Sequence, residues 1–207
     1  MPSMGHMNAV SPVTLTGKLV RLEPLSMDHM DGLAEASADG DVWRIWYTSI
    51  PKPEDMAAEI ERRLGLLAKG SMVPFTARRV ADGQVLGMTT YMNIDQDLPR
   101  VEIGSTWNRA SAHGSGTNAE SKLLLLEHAF EVLGCPAVEF RTSWFNHQSR
   151  AAIERLGAKM DGVLRRHART ADGSLRDTVV YSILDSEWPQ VRMNLEYRLA
   201  QRRSAMP

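Results

Sequence analysis

Two short stretches hold residues whose types and spacing could do chemistry. The first is "HGSGTNAESK", which begins at His113 and runs straight into a leucine-rich segment. Glycines let the backbone turn so that successive N–H groups point into one hollow. The first turn of a following helix adds unpaired donors and the positive end of its dipole. Such a loop suits a phosphate or a diphosphate. The second is "VEIGSTW", where Glu102 sits in an otherwise apolar strand. By twofold alternation Glu102 should face away from Val101 and Ile103, on the side of Gly104 and Thr106. A carboxylate buried there would hold its proton more tightly than an exposed one, which brings it closer to a useful base.

The loop has other readings. Gly114-Ser115-Gly116-Thr117-Asn118-Ala119 fits G-x-G-x-x-A, a form of the dinucleotide fingerprint, with Glu139 as the ribose acid. The context argues against a nicotinamide enzyme, because that loop belongs directly after a first strand of a doubly wound sheet. The phosphate-binding G-x-x-x-x-G-K-S/T pattern is not met. A plain capped helix is the other alternative, since Thr117-x-x-Glu120 has the form of a capping box.

The elements that must position these residues are set by hydrophobic periodicity. Strands are expected over 18–25, over two runs flanking Asp82-Gly83, over 100–107 and over 137–144. Two more should flank a turn at Asp172-Gly173, over 160–169 and 175–184. Helices are expected over 27–38, 54–68, 118–133 and 146–156, and a last one over 187–202. Leu123, Leu126, Phe130 and Leu133 form the expected core face of the third helix. The hairpins require antiparallel pairs, and the strand–helix–strand unit around the loop favours a parallel or splayed one. The chain thus reads as α/β (α+β), with a mixed sheet flanked by helices.

Its 207 residues suit one domain, and 43% hydrophobic residues can fill a core. Residues 1–12, with their "GHM", read as a tag, which leaves 13–203 as the domain. A net charge of −1 speaks against nucleic acid as a partner. No apolar run has the ~20 residues needed to cross a bilayer. The lone cysteine, Cys135, reads as packing, the histidines show no metal pattern, and the expected setting is cytoplasmic.

The ordered series "VEIGSTW", the glycine-rich turn, a leucine-rich helix, "VEFRTSW" and "NHQSRAAIERLGA" resembles GNAT N-acetyltransferases. The nearest likeness is to the RimJ/RimL-type branch of ribosomal-protein N-terminal acetyltransferases, over about 15–188. "GVLRRHARTADGSLRDTVVYSIL" also looks like that branch. His113 and Asn118 depart from the superfamily's Q/R-x-x-G-x-G/A loop, and Gly116 keeps to it.

The resemblance implies a single-domain GNAT-like fold with a centrally splayed sheet and acetyl-CoA as cosubstrate. It implies direct attack by a primary amine, either a protein α-amine or a small amine, in a ternary complex. The loop residues His113, Gly114, Ser115, Gly116, Thr117 and Asn118 would hold the diphosphate. Gly104, Ser105, Thr106 and Trp107 would meet the pantetheine and the acetyl carbonyl, with Asn146 on the same arm. Glu102 would be the general base. Ser149 would steady or protonate the departing sulfur, in the absence of a tyrosine near that helix. Trp43, Trp46 and Tyr47 would border the acceptor, unless they are core. A non-catalytic CoA-binding regulator is a further reading. The last helix could pack in cis or against a second copy, which leaves a homodimer open.

Overall fold

The computed structural model describes residues 10–204, apart from 96, 98, 171 and 172. Residues 1–9 of the expected tag, and Asp172 of the second expected turn, lie outside the described residues. The strands are β1 (Leu15–Thr16), β2 (Val20–Pro24), β3 (Met72–Arg79), β4 (Val85–Asp95), β5 (Arg100–Asn108), β6 (Ala137–Ser143), β7 (Lys159–Arg169) and β8 (Leu175–Leu184). The α-helices are α1 (Met30–Ala38), α2 (Met56–Ala68), α3 (Thr117–Glu127), α4 (His147–Leu156) and α5 (Trp188–Ser204).

The strands form one sheet in the order β1-β2-β3-β4-β5-β6-β8-β7. Only β5 and β6 are parallel, and their register stops at Glu102↔Glu139. Beyond it β5 runs on to Asn108 and β6 to Ser143, so the two strands part. Past that point β5 keeps a strand neighbour on the β4 side alone. This is the expected splay. A doubly wound sheet would be mostly parallel, whereas this one is mostly antiparallel.

Two apolar clusters sandwich the sheet. One packs Leu125, Leu126 and Ala129 of α3 with Val101, Ile103, Val138 and Tyr181. The other packs Leu33 of α1 and Met56 and Ile60 of α2 with Met88 and Trp107. The last helix docks in cis: Trp188, Val191, Leu195 and Leu199 are 5%, 7%, 1% and 4% exposed. At about 1.5–3 kcal/mol for each large apolar side chain, α5 is an integral part of the domain.

The core face expected for α3 is shifted. Of the expected residues Leu126 and Leu133 are buried, while Leu123 and Phe130 are only partly so, and Ser121, Lys122, Leu125 and Ala129 are buried in their place. Four consecutive leucines carry no phase. The helix then passes into a π-turn over His128–Val132, which rotates the helix end relative to its first turns.

Candidate functional site

The splay opens into a cavity of about 880 Å³. Its walls come from β5, the 113–118 loop, α3, α4, β8, α5 and the segment between α1 and α2.

At its centre β5 carries a bulge. Thr90 pairs with Gly104 but Met88 pairs with Trp107, so β5 holds one extra residue. Ser105 takes the strain, with φ at 46°. The bulge resets the alternation and corrects one expectation. Thr106 does not share a face with Glu102 and Gly104. Its hydroxyl turns toward α3, where the Lys122 ammonium donates to it at 2.7 Å. Trp107 turns the other way, into the α1–α2 cluster. Its indole N–H is a buried donor with no acceptor among the described residues.

Glu102 lines the cavity and is 5% exposed. Burial holds its pKa above the ordinary carboxylate value, against the opposing pull of Asn93, Arg141 and Arg176. Asn93 donates to it at 2.7 Å, and the Arg141 Nε stands 3.6 Å away. The stronger ion pair of Arg141 is with Glu139, at 2.9 Å. Glu139, the ribose acid of the dinucleotide reading, is thus engaged by Arg141 and also by Arg100. A Cβ on Gly104 would lie 2.8 Å from the Glu102 carboxylate, so any larger residue there would make that group shift.

The capping box does not form. Gly116, at φ 93°, is the N-cap residue of α3 and, having no side chain, makes no side-chain cap. The Glu120 carboxylate reaches away to the turn before β2 and accepts from the amides of Lys18, Leu19 and Val20 at 3.1, 2.6 and 2.8 Å. The first turn of α3 therefore keeps the Asn118 and Ala119 donors among the described residues. Not every amide expected in the hollow is free. His113 N–H donates to Ala110, Ser115 N–H to Ala112, and Thr117 N–H to the Ser115 hydroxyl. Those of Gly114, Gly116, Asn118 and Ala119 meet no acceptor among the described residues. His113, Gly114, Gly116 and Asn118 line the cavity, whereas Ser115 and Thr117 do not. The latter two hydrogen-bond each other at 2.9 Å and brace the loop.

Asn146 caps α4, accepting from the Ser149 amide at 3.0 Å, and both residues line the cavity. The Asn146 amide hydrogens and the Ser149 hydroxyl have no partner among the described residues. A tyrosine does meet α4, from β8: the Tyr181 hydroxyl donates to Glu154 at 2.8 Å. It does not line the cavity.

On the far side Tyr47 lines the cavity, but Trp43 and Trp46 do not. Trp43 lies under Arg44 and Lys52, at 4.8 and 5.7 Å from its ring. Trp46 is 65% exposed and pairs with Phe145 at 5.7 Å, so it is not core. The sequence reading missed Arg63 and Lys122. Arg63 is 2% exposed, pairs with Glu59 at 2.6 Å and bonds Thr90 beside the bulge at 2.8 Å. Lys122 sits between Thr89 and Thr106, and burial lowers its pKa to about 7. Both are legible as cations on apolar helical stripes: Arg63 follows Met56 and Ile60, and Lys122 precedes Leu125, Leu126 and Ala129.

With this geometry, comparisons with known proteins decide the family. The profile described as "Acetyltransferase (GNAT) domain" matches residues 20–159. The chain belongs to the GNAT acetyltransferase family. The acyl donor of that family is acetyl-CoA. The chain is 36% identical to a crystal structure described as an acetyltransferase from T. thermophilus, with a TM-score of 0.80, over 92% of this chain and 98% of that one. It is 29% identical to a GCN5-related N-acetyltransferase from Brucella melitensis, with a TM-score of 0.83, over 96% of this chain and 90% of that one. It is also 34% identical over 107 residues to YdaF of Bacillus subtilis, which is named for ribosomal N-acetyltransferase activity. That match spans 52% of this chain and 57% of the curated relative. It agrees with the RimJ/RimL-type resemblance of the sequence.

Proposed function

We propose that the protein transfers an acetyl group from acetyl-CoA to a primary amine by direct attack in a ternary complex. The observation that carries this is the pairing of a buried, proton-avid carboxylate with a free helix N-terminus across one splayed cleft. The free amides of Gly114, Gly116, Asn118 and Ala119 suit a diphosphate. Arg155, Arg198 and Arg202 line the same cavity, and Arg202 also holds the Gly114 carbonyl. These residues would bind the phosphates of the carrier. The open edge of β5 beyond Glu102 would pair with the pantetheine amides, joined by Asn146.

Acetyl-CoA supplies an acetyl thioester. The acceptor nitrogen forms the new N–C bond as the C–S bond breaks. Glu102 takes the proton that the amine loses, directly or through water. The sulfur leaves as thiolate, and the Ser149 hydroxyl donates a hydrogen bond to it. An α-amine near ~8 keeps a substantial neutral fraction at cellular pH, whereas a lysine near ~10.4 is almost wholly protonated and needs a stronger base. A carboxylate base therefore favours a protein α-amine or a small amine of similar basicity. The domain comprises residues 13–203, and nothing in this scheme requires a second copy.

The test is thiol release from acetyl-CoA across an amine panel, for the parent and for Glu102→Gln and Ser149→Ala. Turnover lowered in the first variant, with CoA affinity unchanged, is the expected result. Undiminished turnover in both would remove these roles.

A further inference from the structure

The acceptor half of the cavity holds more positive charge than its own carboxylates neutralise. Arg62, Arg63, Arg141 and Arg176 line it, together with His167, against Glu59 and Glu102. Glu59 is shared by Arg62 and Arg63, at 2.7 and 2.6 Å. Glu139, behind the wall, is shared by Arg100 and Arg141. Arg176 is left over. It has no hydrogen-bond or ion-pair partner among the described residues, and its field reaches Glu102.

The position of Arg176 is built by the β7–β8 hairpin. The pairing of β6 with β8 ends at Ser143↔Thr178, so Arg176 projects from the part of β8 that extends past β6. Its neighbour Asp177 points to the opposite face. There Asp177 accepts from the Arg166 amide at 2.7 Å and from Arg165 at 2.6 Å, in a stretch where Arg166 has φ 51°. This irregularity leaves His167, Ala168 and Arg176 along the cavity. The neighbouring arginines of β7 are engaged outside it, Arg165 on Asp177 and Arg169 on the Gly173 carbonyl.

Resting on the acetyl-transfer reading, we infer that the acceptor is an amine bearing a carboxylate, which Arg176 binds while Glu102 faces the amine. The carboxylate is either the acceptor's own α-carboxylate, in a free amino acid, or an acidic side chain near a peptide N-terminus. Arg176 can meet either with a bidentate, charge-assisted pair. The same positive field disfavours an ammonium in the cleft, so it helps to deliver the amine in its neutral, attacking form. Trp46 and Phe145, exposed beside lining residues Ile45, Tyr47 and Asn146, offer a flat wall to the remainder of the acceptor.

The test compares kcat/KM for four acceptors: a free amino acid, its carboxamide, a peptide with aspartate at its second residue, and the same peptide with asparagine. At least one carboxylate-bearing acceptor should exceed its neutral isostere by about tenfold or more, the equivalent of one charge-assisted hydrogen bond. The member preferred identifies the source of the carboxylate. Arg176→Gln should erase that preference and leave CoA affinity and Tm unchanged, and Arg176→Lys should keep part of it. Equal turnover of every pair in the parent overturns the assignment, as does a uniform loss on all four acceptors in Arg176→Gln. Thiol release without carboxylate preference refutes the charge assignment alone. Absence of release with any amine refutes the acetyl-transfer reading as well.

Discussion

At the scale of single residues, the site depends on buried charges that the fold leaves incompletely compensated. Glu102 is the one we propose as the general base. Because burial raises its pKa, the acidic limb of kcat/KM should lie above the pH at which an exposed glutamate titrates. Activity rises with pH as Glu102 ionises. Glu102→Gln should lower kcat/KM by about 10²–10⁴-fold and remove that limb. A pH profile with the limb intact in the variant would show that another group is the base. Lys122 makes a stability prediction of opposite chemistry. Among the described residues it has no carboxylate partner, only the hydroxyls of Thr89 and Thr106. The folded chain releases its proton near about 7, and the unfolded chain only near ordinary lysine values. Between those limits the unfolded state binds more protons, so stability rises with pH. Below about 7 the buried charge carries its full penalty. Thermal melts should therefore show the parent gaining more than Lys122→Met as pH goes from about 6.5 to about 9.5. Parallel curves would contradict this.

At the scale of elements, the N-terminus of α3 shows what a sequence pattern can and cannot specify. Thr117-x-x-Glu120 has the composition of a capping box, yet Glu120 serves the turn before β2, about a hundred residues away in the chain. No local rule predicts a contact of that separation. The glycines of the loop were legible because αL conformations and a tight turn require them. Which amides stay free was not, because that depends on Ala110 and Ala112 turning back to pair with His113 and Ser115. The bulge at Ser105 was hidden for a similar reason: alternation assumes a regular strand, and one extra residue reverses every face beyond it. Glu120→Ala should destabilise the protein by on the order of 3 kcal/mol, since it strands three amides, two of them on Leu19 and Val20. Denaturant unfolding reads that loss. The kcat of folded variant at saturating acetyl-CoA should stay near that of the parent, and a collapse of kcat would show that Glu120 acts in the site itself.

At the scale of the whole molecule, the order of strands and helices was readable, because long periodic segments and an Asp-Gly turn punctuate it. The parallel β5–β6 pair was readable from the strand–helix–strand unit between them. The depth of the splay was not, since it depends on where that pairing stops. Nor was the placement of α5, whose apolar spacing fits docking in cis or onto another copy equally well. Docked in cis, it brings Arg198 and Arg202 to the cleft, although it lies beyond the residues the family profile matches. Replacing both by glutamine should weaken CoA binding about tenfold, roughly one charge-assisted contact, and leave binding of acetyl-pantetheine unchanged. Equal losses for both ligands, read by titration calorimetry, would mean that α5 shapes the cleft without touching phosphate.

The most direct test is a crystal structure of the protein with CoA bound. The account predicts the diphosphate within hydrogen-bond distance of the amides of Gly114, Gly116, Asn118 and Ala119, with the pantetheine lying along β5 beyond Glu102. A diphosphate held elsewhere, with those amides facing only water, would contradict it.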